Sequence, residues 1–263
     1  MTFKSLPFAL SLCSLALLSA CSSQISPKQE VREPEVATGV TEKSAITGRQ
    51  YMVVTANPYA SEAGEKILAK GGSAVDAAIA IQMVLTLVEP QSSGIGGGAF
   101  MLHWDNHNKV LVNYDGRETA PEKVTPNLFL DAKGNPVPWI KAVVGGRSVG
   151  VPGVLAALKK AHDKYGKLPW ADLFTDAIYL AEHGFIVSPR LAKLIDANFN
   201  PGVKQLPAIK NYFYPKGKAI QSGDLLTNKK LAKVYKSIAK EGIHVFYQGF
   251  PCIPCSYLES FSE

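Results

Sequence analysis

The chain has 263 residues, of which 46% are hydrophobic and 19% are charged, so it is long and apolar enough to bury a substantial core. Its 28 basic and 22 acidic residues leave a net charge of +6, which is too mild to indicate nucleic-acid binding by itself. With 22 glycines, 17 prolines and 4 cysteines, the composition also excludes a disordered chain, a collagen-like repeat and a disulfide-rich scaffold.

Residues 1–20 are predicted to be a secretory signal peptide. Lys4 precedes an uncharged apolar stretch, 6–20, which is shorter than the roughly 18–20 residues of a membrane-spanning helix. Small residues then precede Cys21, and this arrangement resembles the lipobox of bacterial lipoproteins. The resemblance implies that Cys21 becomes the lipidated first residue of the mature protein, and Ser22 after it is typical of outer-membrane sorting. We therefore expect an exported protein, lipid-anchored at the outer membrane and facing the periplasm; a plain signal peptide that contains Cys21 is the alternative.

Residues 21–50 are polar and show no apolar period, which predicts a flexible tether in front of a folded domain at 51–249. Within that domain, 51–55 is predicted to be a short strand. Asn57 and Pro58 then start a helix, because asparagine is a good N-cap and proline is favoured in the first turn.

A second helix is predicted to be buried. Ser73 caps it, with Asp76 three residues later in a variant of the capping box, and its body at 77–88 is apolar on nearly every face. Two strands are expected next, at 99–104 and 109–114. Further helices are expected to start at Pro152, Pro169, Ser188 and Asn228, and three of them to end near Gly166, Gly184 and Gly242. Helices and strands mix without a regular βαβ rhythm, which predicts a layered α/β or α+β domain.

The glycine-rich run at 94–98 has dinucleotide-like spacing, but its context is wrong for a phosphate loop. Such a loop leaves a strand and opens a helix, whereas here a predicted helix comes before the glycines and a predicted strand comes after. Close backbone packing, or room for a substrate beside bare backbone, explains the glycines better.

The segment from Gly146 to Gly150 matches the nucleophile-elbow pattern, with Ser148 as the candidate nucleophile. The apolar stretch 139–144 is the candidate strand before it. The elbow also needs a helix that begins at the nucleophile, and Pro152 places the next helix start several residues too late. A serine hydrolase that uses Ser148 is therefore kept as an alternative function.

No metal site or cofactor is expected. His103 and His107 are placed at a strand end and its turn, where residues four apart do not share a face. Cys252 and Cys255 have redox-like spacing, and an exported protein permits a disulfide between them, but two ligands cannot hold structural zinc. Whether these two cysteines pair is left open.

Arg117 follows a probable strand in the motif DGRETAP. A guanidinium is suited to gripping a carboxylate with two parallel hydrogen bonds, so Arg117 is a candidate substrate ligand. The alternative is an internal ion pair with Asp115 or Glu118, which composition alone favours.

Several segments, in order, resemble the large-subunit region of γ-glutamyltranspeptidases. They are "ANPYASEAGEKILAKGGSAVDAAIAIQMVLTLVEPQSSGIGGGAFML", "DGRETAP", "VGVPG", "YGKLPW" and "IAKEGIHVFYQG". The resemblance implies part of an N-terminal-nucleophile hydrolase fold, an αββα sandwich, without its small-subunit part. It also implies transfer of a γ-glutamyl group from glutathione or a related amide to water or an amino acid, with no metal or organic cofactor.

By the same resemblance, the nucleophile is the N-terminal threonine of a separate small subunit, whose own α-amine acts as the base. The arginine of the family's "RE.AP" motif, which grips the glutamyl α-carboxylate, falls on Arg117. Residues 250–263 diverge from the family, and nothing after Gly249 resembles a small subunit. We therefore expect a chain truncated by a frameshift or premature stop, with no catalytic residue of its own and no activity alone. A divergent but genuine C-terminus and a non-catalytic outer-membrane lipoprotein are the alternatives.

Overall fold

The structure is a computed structural model that describes residues 44–198 and 200–249. The predictions for the signal peptide at 1–20, for Cys21 and for the tail at 250–263 lie outside the described residues. Residues 44–50, which belong to the predicted tether, are exposed and form neither helix nor strand. A search of the described helices finds none with the length and apolarity needed to cross a membrane.

Two packed helices open the domain, and each begins at its predicted cap. Helix α1 (Pro58–Ala69) starts after Asn57, whose side chain accepts a hydrogen bond from the amide of Tyr59. Helix α2 (Ala74–Val88) starts with a complete capping box, because Ser73 and Asp76 each accept a hydrogen bond from the other's amide. Most of α2 is buried, as its uniformly apolar sequence predicts.

An antiparallel hairpin follows, formed by β1 (Ala99–Asp105) and β2 (Val110–Gly116). Its inner face contributes Tyr114 to the core and packs toward the helix at Val154–Tyr165. Its outer face is apolar and exposed, with Leu102 70% accessible. The other large residues of this outer face are Phe100, Trp104 and Leu111.

The rest of the described chain is mainly helical. The helices are α3 (Trp139–Val143), α4 (Val154–Tyr165), α5 (Thr175–His183), α6 (Pro189–Asp196), α7 (Gly202–Gln205), α8 (Pro207–Phe213) and α9 (Lys229–Glu241). Two short strands, β3 (Phe185–Ile186) and β4 (Leu225–Leu226), pair antiparallel. Short 3₁₀ turns occupy Trp170–Phe174 and Pro215–Gly217, and a π-helical turn occupies Val245–Gly249.

The structure confirms, to within two residues, three predicted helix starts and three predicted helix ends. The starts are Pro152, Ser188 and Asn228, and the ends are Gly166, Gly184 and Gly242. At Pro169 a 3₁₀ turn comes first, and α5 follows it.

The core is built around α2, which packs against α1, α4, α5 and the 3₁₀ turn Trp170–Phe174. Tyr235 on α9 is fully buried and donates a hydrogen bond to the carbonyl oxygen of Met83, at 2.9 Å. Asp76 accepts further hydrogen bonds from the amides of Lys167 and Leu168, so the α2 capping box also holds the loop after α4. The capping box that starts α2 and the long-range contacts of α2 therefore stabilise the same packing of α2 in the core.

Two local predictions are wrong. Residues 51–55 form no strand, because no described segment pairs with them, and Met52 and Val54 are exposed. The apolar stretch 139–144, taken as a candidate strand, is mainly helix α3. In both cases the apolar composition is compatible with a strand, but a strand also needs a neighbouring strand to satisfy its backbone groups.

Candidate functional site

Three loops meet at one place on the domain: the glycine run 94–98, the segment 116–119 at the end of β2, and the loop 150–153 before α4. The amides of Gly153 and Val154 donate to the carbonyl oxygen of Gly97, at 3.1 and 3.2 Å. The amide of Val151 donates to the carbonyl oxygen of Thr119, at 2.8 Å. The loop 150–153 therefore fastens the other two together through backbone hydrogen bonds.

Three glycines, at 98, 150 and 153, make this approach possible. A Cβ atom on Gly98 would lie 2.7 Å from the carbonyl oxygen of Gly116, and one on Gly153 would lie 2.3 Å from the same oxygen. A Cβ atom on Gly150 would lie 2.8 Å from the Cβ atom of Glu118. The prediction that close backbone packing explains the glycine run holds at Gly98, whereas a Cβ atom on Gly96 would meet only open space.

Arg117 lies on the segment 116–119, between the glycine run 94–98 and the loop 150–153. Its amide donates to Oδ1 of Asp115 at 2.9 Å, and its side chain is 72% exposed. Its Nε lies 3.5 Å from Oε2 of Glu118, which is longer than a good hydrogen bond. The structure thus contains the internal pair that composition favours, in an exposed and loose form. In residues 44–198 and 200–249 no other acidic group pairs with Arg117, so its terminal amino groups are available to a carboxylate.

Ser148 is not placed as a nucleophile elbow requires. It is exposed in a turn closed by the amide of Val149 and the carbonyl oxygen of Gly146. Helix α3 stands where the elbow needs a strand, and α4 begins at Val154 instead of at the serine. The serine-hydrolase alternative therefore lacks its structural context.

Two of the histidines, His103 and His162, pack against or bond to neighbouring parts of the fold. The ring of His103 packs against Tyr165 with centroids 4.1 Å apart, while His107 lies in the hairpin turn. Nε2 of His162 is 2.9 Å from the carbonyl oxygen of Leu168 and 3.7 Å from Asp76 Oδ1. Among the described residues, no three acidic, histidine or cysteine side chains are grouped closely enough to hold a metal ion.

A buried polar cluster stands next to the glycine run, and sequence reasoning missed it. Glu89, at the end of α2, has a side chain only 3% exposed. Its carboxylate accepts hydrogen bonds from Asn57 Nδ2 and from Arg190 on α6, both at 2.8 Å, and from Gln91. Its carbonyl oxygen accepts from the amides of the next turn, Ser92 and Ser93. Glu89 therefore fixes the point at which the core helix turns into the glycine run.

The same fold occurs in solved enzymes. The γ-glutamyltranspeptidase of Helicobacter pylori matches with a TM-score of 0.74 and 38% identity, over 78% of this chain and 58% of that chain. The transpeptidase CapD of Bacillus anthracis matches with a TM-score of 0.64 and 34% identity, over 82% of this chain and 67% of that chain. The fold is accordingly that of N-terminal-nucleophile hydrolases, in agreement with the predicted layered α/β class.

Sequence comparison narrows the class to one family. The family model described as Gamma-glutamyltranspeptidase matches residues 60–250. The glutathione hydrolase proenzyme of Bacillus subtilis (strain 168) is 43% identical over 207 residues, which cover 79% of this chain and 35% of that protein. The corresponding proenzyme of Escherichia coli (strain K12) is 37% identical over 222 residues, covering 82% and 37%. The chain belongs to the γ-glutamyltranspeptidase family, as its motifs predict, and spans about a third of the length of these curated relatives.

Proposed function

We propose that this chain carries the γ-glutamyl-binding part of an enzyme that transfers the γ-glutamyl group of glutathione, or of a related amide, to water or an amino acid. Family membership and the names of the relatives, which are glutathione hydrolases, support this substrate class. The observation that carries the proposal is the position of Arg117: an exposed guanidinium on a backbone segment held from both sides by glycine contacts.

In the proposed complex, Arg117 binds the α-carboxylate of the glutamyl group with two charge-assisted hydrogen bonds. Glu118 lies on the Nε side of the guanidinium, at 3.5 Å, and leaves the terminal amino groups to the ligand. Because the α-carboxylate is fixed at one end, the γ-carbonyl at the other end is oriented for attack. We assign the attack, by family resemblance, to the N-terminal threonine of a small subunit, whose α-amine takes the hydroxyl proton.

The partner in this proposal is that small subunit. The outer face of the β1–β2 hairpin exposes Phe100, Leu102, Trp104 and Leu111, and an apolar patch of this kind is typical of an interaction surface. We propose that the small subunit lies against this face, beside the end of β2 that carries Arg117. No nucleic-acid partner is proposed.

Arg117→Lys is expected to weaken binding of L-glutamate about tenfold, because lysine keeps the charge but loses the paired geometry. Titration calorimetry on the purified chain measures this affinity. The control ligand is 4-aminobutyrate, which lacks the α-carboxylate and should bind the parent and Arg117→Lys equally. The control variant is Arg49→Lys, the same change at an exposed position before α1. Unchanged L-glutamate affinity in Arg117→Lys would refute the assignment.

Turnover is followed with the same proteins, as release of p-nitroaniline from γ-glutamyl-p-nitroanilide. The chain alone is expected to release none, and release is expected once a small subunit with an N-terminal threonine is added. Release by the chain alone, above an Arg117→Ala control, would show that the chain contains its own nucleophile.

We further propose that the protein is exported and held by a lipid on Cys21 at the periplasmic side of the outer membrane. The support is the sequence before Cys21 and the serine that follows it. Metabolic labelling with a radioactive fatty acid should mark the parent protein and leave Cys21→Ser unlabelled. Cys13→Ser, a matched change inside the apolar stretch, should keep the label. Labelling of Cys21→Ser at the parent level would contradict the proposal.

A further inference from the structure

Tyr247 is a residue of the family-like motif HVFYQG to which neither the sequence nor the proposed function assigns a role. It lies in the π-helical turn Val245–Gly249, and its hydroxyl reaches the loop in front of α4. The hydroxyl donates a hydrogen bond to the carbonyl oxygen of Pro152 at 2.9 Å and accepts one from the amide of Ala156 at 3.2 Å. Burial raises the pKa of Tyr247, so the hydroxyl keeps the proton that it donates.

Helix α4 needs such a partner because it has no cap of its own. The N-cap residue is Gly153, which has no side chain to accept a hydrogen bond. Ala156 is the third residue of α4, and its amide is one of the first-turn donors that no helical carbonyl reaches. The hydroxyl of Tyr247 accepts from this amide, as a serine or aspartate side chain does at other helix starts.

The loop that Tyr247 fastens is the one that holds Arg117. The amide of Val151 donates to Thr119, and Gly153 lies close against the carbonyl oxygens of Gly116 and Arg117. Tyr247 contacts this loop at Pro152, between those two contacts. Movement of the loop 150–153 away from α4 would therefore release the segment that carries the guanidinium.

We propose that Tyr247 is a positioning residue for the γ-glutamyl site: its hydroxyl joins the start of α4 to Pro152 and thereby holds the loop that fixes Arg117. We call the two hydrogen bonds of the Tyr247 hydroxyl the clamp. The clamp is a property of the fold, whereas its effect on ligand binding rests on the proposed function. Tyr247 touches no substrate in this scheme and acts only through the loop.

The test is Tyr247→Phe, which keeps the ring and removes both hydrogen bonds. L-glutamate affinity of the full chain is expected to fall about three- to tenfold, the usual effect of one or two such bonds. Affinity for 4-aminobutyrate is expected to stay the same, and exchange of the Ala156 and Val151 amides with solvent is expected to accelerate by a similar factor.

The matched control is Tyr214→Phe. The hydroxyl of Tyr214 donates to the carbonyl oxygen of Ile195 on α6, so this variant loses a bond of the same kind elsewhere in the fold. It is expected to change neither the ligand preference nor the exchange of the Ala156 amide. A purely structural role for Tyr247 would make the two variants alike in their preference for L-glutamate over 4-aminobutyrate.

The outcomes separate the inference from the proposed function. If the parent chain does not bind L-glutamate, the proposed function fails, and the exchange of Ala156 and Val151 still decides whether Tyr247 is a clamp. If exchange accelerates in Tyr247→Phe but ligand preference is unchanged, the positioning role is overturned. Unchanged exchange would overturn the clamp as well.

Discussion

Gly153→Ala is expected to lower the free energy of unfolding by about 3 kcal/mol, at the upper end of the usual cost of overpacking. It is also expected to weaken L-glutamate binding by about tenfold or more, because a shift near 1 Å in a positioning segment has effects of that size. The cause is a single methyl group, which would lie 2.3 Å from the carbonyl oxygen of Gly116 and 2.8 Å from that of Arg117.

Backbone conformation does not contribute to this effect. Gly153 has φ −111° and ψ −19°, values that alanine adopts without strain. The carbonyl oxygens of Gly116 and Arg117 belong to the backbone and cannot rotate away from the added methyl group. The loop 150–153 must therefore move as a unit, and this movement strains its hydrogen bonds to Gly97.

Thermal unfolding and calorimetry on Gly153→Ala and Gly96→Ala measure the effect. Gly96 belongs to the adjoining glycine run, and a Cβ atom there would meet no atom within 4 Å. Gly96→Ala should therefore change the free energy of unfolding by less than about 0.5 kcal/mol. Equal effects of the two substitutions would show that loss of glycine flexibility, and not the contact with Gly116, sets the cost.

Arg190→Met is expected to destabilise the domain by about 3 kcal/mol, because it removes the cationic partner of a buried carboxylate. Glu89 would keep its neutral donors, Asn57 and Gln91, but its charge would remain in a site almost closed to water. Methionine retains much of the apolar stem of arginine, so loss of packing is kept small. For a domain of this size the melting temperature should fall by roughly 6–12 °C.

The matched control is Lys66→Met, which breaks the solvent-accessible pairs of Lys66 with Glu62 on α1 and with Asp176 on α5. Exposed pairs contribute about 0–1 kcal/mol, so the melting temperature should change little. Adding Glu89→Gln to Arg190→Met removes the buried charge and should restore part of the stability. A double variant no more stable than Arg190→Met alone would rule out the unpaired charge as the cause.

The parts of this fold that sequence reasoning predicted depend on local chemistry. Asn57, Ser73 and Asn228 cap helices because their side chains reach an amide only two or three residues ahead. The predicted strand at 51–55 is wrong for the opposite reason, because a strand depends on a pairing partner at any distance along the chain. Family membership followed from motifs, and Arg117 was selected by resemblance rather than by spacing.

The supports of the candidate site were not predictable in the same way. Glu89 contacts Arg190, which is 101 positions away in the sequence, and Tyr247 contacts Pro152, which is 95 positions away. No periodicity relates residues so far apart, and each of them also suits an ordinary surface position when considered alone. A buried ion pair and a hydroxyl shared by two backbone groups become visible only when the helices are packed.

These separations also affect the order in which the site is completed during synthesis. Ribosomes release a chain from its N-terminus, so Gly97 and Arg117 emerge long before Arg190 and Tyr247. Contacts between distant positions also form slowly, because a long loop must close before they are made. The glycine run and the arginine therefore remain unclamped on the nascent chain, and the site takes its final geometry only after the last described turn, Val245–Gly249, has been made.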